Sequence, residues 1–197
     1  MKKLFTFLYL AIICSGLYAQ EVVKNGDFSI NDESGTIEGL ANWSMDIDKS
    51  PGSGVGGDAS NYHVYLTGDD SATLYQVVDV VGTDSVIYDL TFWANSTWQA
   101  EKVAIIVSTS GADTTVRDIY KTDSLDVTDA SKQFTYSFAF APNSAYAGKN
   151  LILEFACYAS IENSWMNIDD ISLVKKAPGS NSKPFPALEN LLTGKLQ

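Results

Sequence analysis

The 197-residue chain carries 24 acidic against 13 basic side chains and a single histidine, for a net charge of −11. A surface this acidic argues against nucleic acid and anionic lipid as partners, since both would be repelled. One histidine and two cysteines exclude an ordinary zinc site, and His63 has no Gly-x-Ser-x-Gly nucleophile elbow to serve.

Taken in chain order, Lys2 and Lys3, the apolar run from Leu4 to Ile13 and the small residues Ser15, Gly16 and Ala19 have the form of a secretory signal peptide cut after Ala19. The run is too short to span a bilayer, and no later segment matches it without charges, so no membrane span is expected. The expectation is an exported protein, secreted, periplasmic or at the surface of a Gram-negative bacterium. Ile13, just before Cys14, is bulkier than lipoprotein processing usually accepts, which disfavours a lipid anchor. Removing the leader takes two lysines and no acid, leaving 11 basic against 24 acidic residues. Cys157 is then the one remaining cysteine, so no internal disulfide forms; within an apolar run it reads as a buried small hydrophobe.

The mature chain is dominated by a period of two. Strands are predicted at Tyr62–Leu66, Thr73–Val80, Tyr88–Asn95, Val103–Ser108, Phe134–Phe140, Leu151–Tyr158 and Trp165–Val174, all rich in β-branched and aromatic residues. Turn clusters separate them at 49–60, 67–71, 82–84, 109–113 and 142–148. No window shows a helical period. Roughly eight to ten strands with one apolar face each must pack as two sheets. The predicted fold is therefore all-β, a two-sheet sandwich of jelly-roll type over residues 20–176. Residues 177–197, with Pro178, Gly179, Ser180, Pro184 and Pro186, read as a linker or tail in which 188–196 could form a short helix.

Alternation also tells which side chains leave the core. In Tyr88–Asn95, the set Tyr88, Leu90, Phe92 and Ala94 should point inward and Thr91, Trp93 and Asn95 outward. In Leu151–Tyr158, the set Leu151, Leu153, Phe155 and Cys157 should point inward and Ile152, Glu154 and Tyr158 outward. Trp93, Glu154 and Tyr158 are expected to line one outer face, with Asn95 among them, Trp98 on a loop beside them, and Thr135, Ser137 and Gln76 adding small polar positions. Rigid aromatic rings of this kind suit the apolar faces of pyranose sugars. The plainer readings are a Trp93 half covered by a loop, a Trp98 that anchors its loop, and a Glu154 that is only a solvated carboxylate. Trp43 reads as core and Trp165 as packing. No carboxylate pair is marked by an apolar pocket, as a glycosidase would need, and the Gly-rich Ser50–Gly57 stretch lacks the lysine of a phosphate loop. The chain reads as a binding module, not an enzyme.

Asn25-Gly26-Asp27-Phe28, Trp43, Leu74-Tyr75-Gln76-Val77-Val78, the Tyr88–Ala94 run and Asn167-Ile168-Asp169-Asp170-Ile171-Ser172-Leu173, in that order, resemble the CenC-type carbohydrate-binding modules of the galactose-binding-like jelly-roll superfamily. The resemblance covers residues 22–174. It implies a polysaccharide ligand and a structural calcium ion held by the Asp27 carbonyl, Ser29, Asp58, the Asn61 carbonyl and Asp169. Ser29 stands where the family commonly has glutamate, which lowers the ligand charge. The superfamily also includes structural and adhesive subunits of cell-surface assemblies; in that alternative the sandwich has no sugar site, and the tail from Ala177 docks to a protein partner. Asp70-Ser71-Ala72, Asp84-Ser85-Val86, Asp113-Thr114-Thr115 and Asp123-Ser124-Leu125 look like O-glycosylation acceptors of exported Gram-negative proteins, all expected in or beside turns.

Overall fold

Eleven antiparallel strands realise the period-two pattern among the residues described by the computed structural model, which are 19–45, 52–59, 61–68, 73–98, 101–158 and 164–177, with Trp98 given by its backbone alone. In chain order they are β1 (Gln20–Glu21), β2 (Ser44–Met45), β3 (Gly54–Gly56), β4 (His63–Thr67), β5 (Thr73–Val80), β6 (Val86–Trp98), β7 (Lys102–Ser110), β8 (Arg117–Asp126), β9 (Lys132–Phe140), β10 (Asn150–Tyr158) and β11 (Trp165–Lys176). One sheet runs β3-β4-β11-β6-β9, with β1 also on β11; the other runs β2-β5-β10-β7-β8. The two sheets form a jelly-roll sandwich. Residues 1–18 of the expected leader, the tail from residue 178 and the Asp70-Ser71-Ala72 triplet lie outside the described residues.

Between the sheets the inward sets meet as alternation requires. Tyr88, Leu90, Phe92, Leu151, Phe155 and Cys157 are fully buried. Phe92 of the six-stranded sheet meets Phe155 of the five-stranded sheet edge to face, with ring centroids 5.1 Å apart. Each such aliphatic or phenyl group contributes about 1.5–3 kcal/mol by leaving water.

The opening motif is a fold device. Asn25, at φ 53°, uses its Nδ2 to bond the carbonyls of Ile30 and Ala41 and its Oδ1 to accept from the Ile30 N–H. Its own carbonyl accepts from Trp43 Nε1 at 2.9 Å, and buried Trp43 packs on Phe28. The chain start is then sewn to β11: Val22 N–H donates to Leu173 O and Ile171 N–H to Gly26 O, each at 2.9 Å. Gln76 completes the seam. It was expected to offer a polar position on the outer face, but it is buried, and its amide bonds both the N–H and the carbonyl of Lys24 at 2.8 Å. Gln76→Ala should leave two main-chain groups unpartnered and cost about 1–3 kcal/mol, read as a lower urea midpoint.

One long element escaped the sequence reading. Strand β8 has no apolar alternation because it is an edge strand, with only Tyr120 and Leu125 packed against the core. Asp123-Ser124-Leu125 therefore lies inside a strand, not in or beside a turn.

Candidate functional site

The outer face of the five-stranded sheet carries a buried charge. Across β5, β10 and β7, Tyr75, Glu154 and Ile106 stand side by side; the next row is Val77, Ile152, Ser108 and, on β8, Ile119. Ile152, Ser108, Ala104 and Ala156 point away from the core yet are as buried as core residues, so this face is the floor of a trough. Glu154 is only 5 % exposed. It accepts a hydrogen bond from Ser108 Oγ on one carboxylate oxygen and from Arg117 Nη1, 2.8 Å away, on the other. Arg117, the single arginine of the chain, reaches in from edge strand β8 with its Nε on the Thr114 carbonyl, and its guanidinium lies 3.8 Å from the centroid of the Tyr75 ring. Beside Tyr75 a depression of about 220 Å³ opens, lined by Lys24, Asn42, Ser44 and Thr114 among others. At the C-terminal end of β10, Tyr158 is 44 % exposed, roughly 13 Å along the strand from Glu154.

The outer face of the six-stranded sheet is different in kind. Trp93 is 38 % exposed and lines a depression of about 380 Å³ with Asn61, His63, Asn95, Asn167 and Asp169. Register sets Asn167 of β11 opposite Asn95 of β6, and Asp169 opposite Trp93. Burial holds the His63 pKa below its ordinary value, against the opposing bond from the Asn61 main chain.

The expected single face is thus two. Trp93 and Asn95 belong to the six-stranded sheet and Glu154 and Tyr158 to the five-stranded one, so the four cannot touch one ligand together. Glu154 is not a solvated carboxylate but half of a desolvated ion pair. Residue 98 continues β6 instead of sitting on a loop, and the Trp98 side chain lies outside the described residues. Sequence reasoning missed Tyr75, Arg117 and Asn167 as site residues. A lone arginine in so acidic a chain was the one available signal for the second of them.

The residues implied as calcium ligands are gathered in part. Asp169 and Asn61 share the Trp93 depression, the Asn61 N–H donates to the Asp58 carbonyl at 2.9 Å, and Ser29 donates to Asp27 Oδ1 through both its N–H and its Oγ. Burial pushes the Asp169 pKa up to about 6; its bond from the Asp170 N–H opposes this, and the nearby Asp170 and Asp27 carboxylates add to it. Among the described residues no three His, Cys, Asp or Glu side chains converge closely enough to hold an ion by themselves. A cation here would need main-chain and amide oxygens too, a donor mix that suits calcium.

No protein-family model matches the chain, and no curated protein matches it either. Solved structures share its fold. A Stig cyclase from Fischerella sp. TAU, in complex with (3Z)-3-(1-methyl-2-pyrrolidinylidene)-3H-indole, superposes with a TM-score of 0.63 at 18 % identity, over 81 % of this chain and 99 % of that one. A family 61 carbohydrate-binding module bound to β-1,4-galactotriose gives 0.50 at 19 % identity, over 78 % and 97 %. A family 4 carbohydrate-binding module gives 0.50 at 14 %, over 78 % and 99 %. At these identities the likeness shows the jelly-roll fold, one shared by cyclases and carbohydrate-binding modules.

Proposed function

We propose that the protein is an exported, non-catalytic carbohydrate-binding module of CenC type that holds an extracellular or cell-surface polysaccharide in the trough of the five-stranded sheet. The observation that carries this reading is the Glu154–Arg117 pair. A desolvated ion pair is a poor stabiliser, and an aliphatic pair in its place would hold the sheet as well or better. Its presence on an outward face, fixing the Tyr75 ring, is accounted for by a ligand rich in hydroxyls. Tyr75 and Tyr158 supply apolar ring faces, Arg117 and Glu154 the polar centre, and the spacing leaves room for more than one sugar ring. Affinity electrophoresis against a polysaccharide panel tests it. At least one neutral glycan should retard the protein, with Tyr158→Ala weakening retention about tenfold or more; a panel that retards neither form overturns the reading. The exposed Val77, Val116 and Ile119 on and beside the same face support the second reading, an adhesive or structural subunit docking a protein there.

Calcium belongs to the same proposal. Asp27, Ser29, Asp58, Asn61 and Asp169 would hold it, and it would neutralise carboxylates that now repel one another and tie the opening loop to β11. The Asp169 pKa is raised on folding, so without cation its proton stabilises the fold at low pH. That contribution is lost as the pH rises from 3.8 to about 6. At neutral pH calcium should raise the melting temperature and a chelator lower it, while Asp169→Asn should melt higher than wild type in chelator and no longer respond to calcium. Identical melting with and without calcium would remove the ion from the proposal.

A further inference from the structure

The depression over the six-stranded sheet has its own recognition chemistry, unused by the trough. Its floor is a strand pair in which Asn95 and Asn167 are direct cross-strand neighbours, side chains about 5 Å apart at their Cβ atoms. Two residues along β6, on the same face, Trp93 turns its indole partly to solvent. The hydrogen-bonding capacity of both amides is largely unspent. The Asn95 side chain makes one long contact, Nδ2 to the Ser96 carbonyl at 3.4 Å, and among the described residues the half-buried Asn167 amide makes none. The His63 ring forms another wall, lying so close to Gly56 that a Cβ there would sit 2.6 Å from Nε2. Main-chain room at Gly56 is therefore what lets the ring stay in place.

These features select a ligand class. Among the described residues no lysine or arginine lines the depression, so none there offers an anion a counter-charge. An indole face beside uncommitted amides matches a ring with one C–H face and several hydroxyls.

We infer that Trp93, Asn95, Asn167 and His63 form a second site, for a neutral hexopyranose unit, on the face opposite the trough. The two faces are separated by the thickness of the sandwich and point in opposite directions. One molecule would then hold two polysaccharide chains at once and cross-link them. The cross-linking rests on the proposed trough reading; the Trp93 site does not.

Calorimetric titration with neutral β-1,4-linked gluco-, galacto-, manno- and xylo-oligosaccharides, on wild type, Trp93→Ala, Asn167→Ala and Tyr158→Ala, separates the two. Wild type should bind two equivalents of one of these probes. Trp93→Ala and Asn167→Ala should each weaken one equivalent at least tenfold and leave the other unchanged, with melting temperatures near wild type; Tyr158→Ala should do the reverse. If Trp93→Ala and Asn167→Ala bind as wild type while Tyr158→Ala loses binding, the second site is overturned and the trough stands. If the Trp93 variant loses all binding and Tyr158→Ala loses none, the trough reading falls and the Trp93 site stands alone. No binding by any form overturns the Trp93 site, and the polysaccharide panel then decides the trough reading.

Discussion

Gly26→Ala is expected to cost about 3 kcal/mol or more, lowering the melting temperature by roughly 6–12 °C. A Cβ at position 26 would lie 1.8 Å from the carbonyl oxygen of Ile171, which is main chain and cannot swing aside. That carbonyl sits in the irregular stretch of β11 between Asp169 and Ser172, where Asp170 is already held at φ 49°. The opposite peptide group is committed as well, because the Ile171 N–H donates to Gly26 O at 2.9 Å. The clash can be relieved only by lifting the opening loop off β11. Lifting breaks that bond and disturbs Asn25 beside it, whose side chain orders the loop as far as Ala41. Gly111→Ala is the control: nothing lies within 4 Å of a Cβ there, so it should melt like wild type. Equal melting of the two variants would show that the opening motif does not set the register of the sandwich.

The Asn25-Gly26-Asp27-Phe28 motif and the alternating strands were legible because each is a local pattern with a local cause. Alternation states which side chains leave the core, and Tyr88, Leu90, Phe92 and Ala94 are buried accordingly. It does not state which sheet a strand joins. That choice is made by pairing at long range: β6 lies between β11 and β9, whereas β10 lies between β5 and β7. Trp93 and Glu154, on the outer sides of different sheets, therefore face opposite ways. Strand β8 was invisible for a related reason. With Asp118, Lys121, Thr122 and Asp123 all in water, it has no apolar period to read. Its Arg117 supplies the partner that turns Glu154 from a surface acid into a buried one, and nothing in the sequence around Glu154 announces an arginine 37 residues away.

Arg117→Ala should destabilise the fold by about 3 kcal/mol at neutral pH, the low end for a broken buried pair because 17 % of the Arg117 side chain remains in water. The loss comes from what is left behind. Glu154 would keep Ser108 as a donor but have no counter-charge, at a position 5 % exposed. Arg117→Met combined with Glu154→Leu removes both charges and fills the space, and it should melt within a few degrees of wild type. Stability and recognition then separate. The double variant keeps the sheet but loses the polar centre of the trough and the cation over Tyr75, so glycan retention through that face should disappear while the fold persists. Thermal melts at neutral pH on the single and double variants decide the matter. A double variant as unstable as the single one would mean that Arg117 acts as packing across β8, β7 and β10, and that its charge has no part in the site.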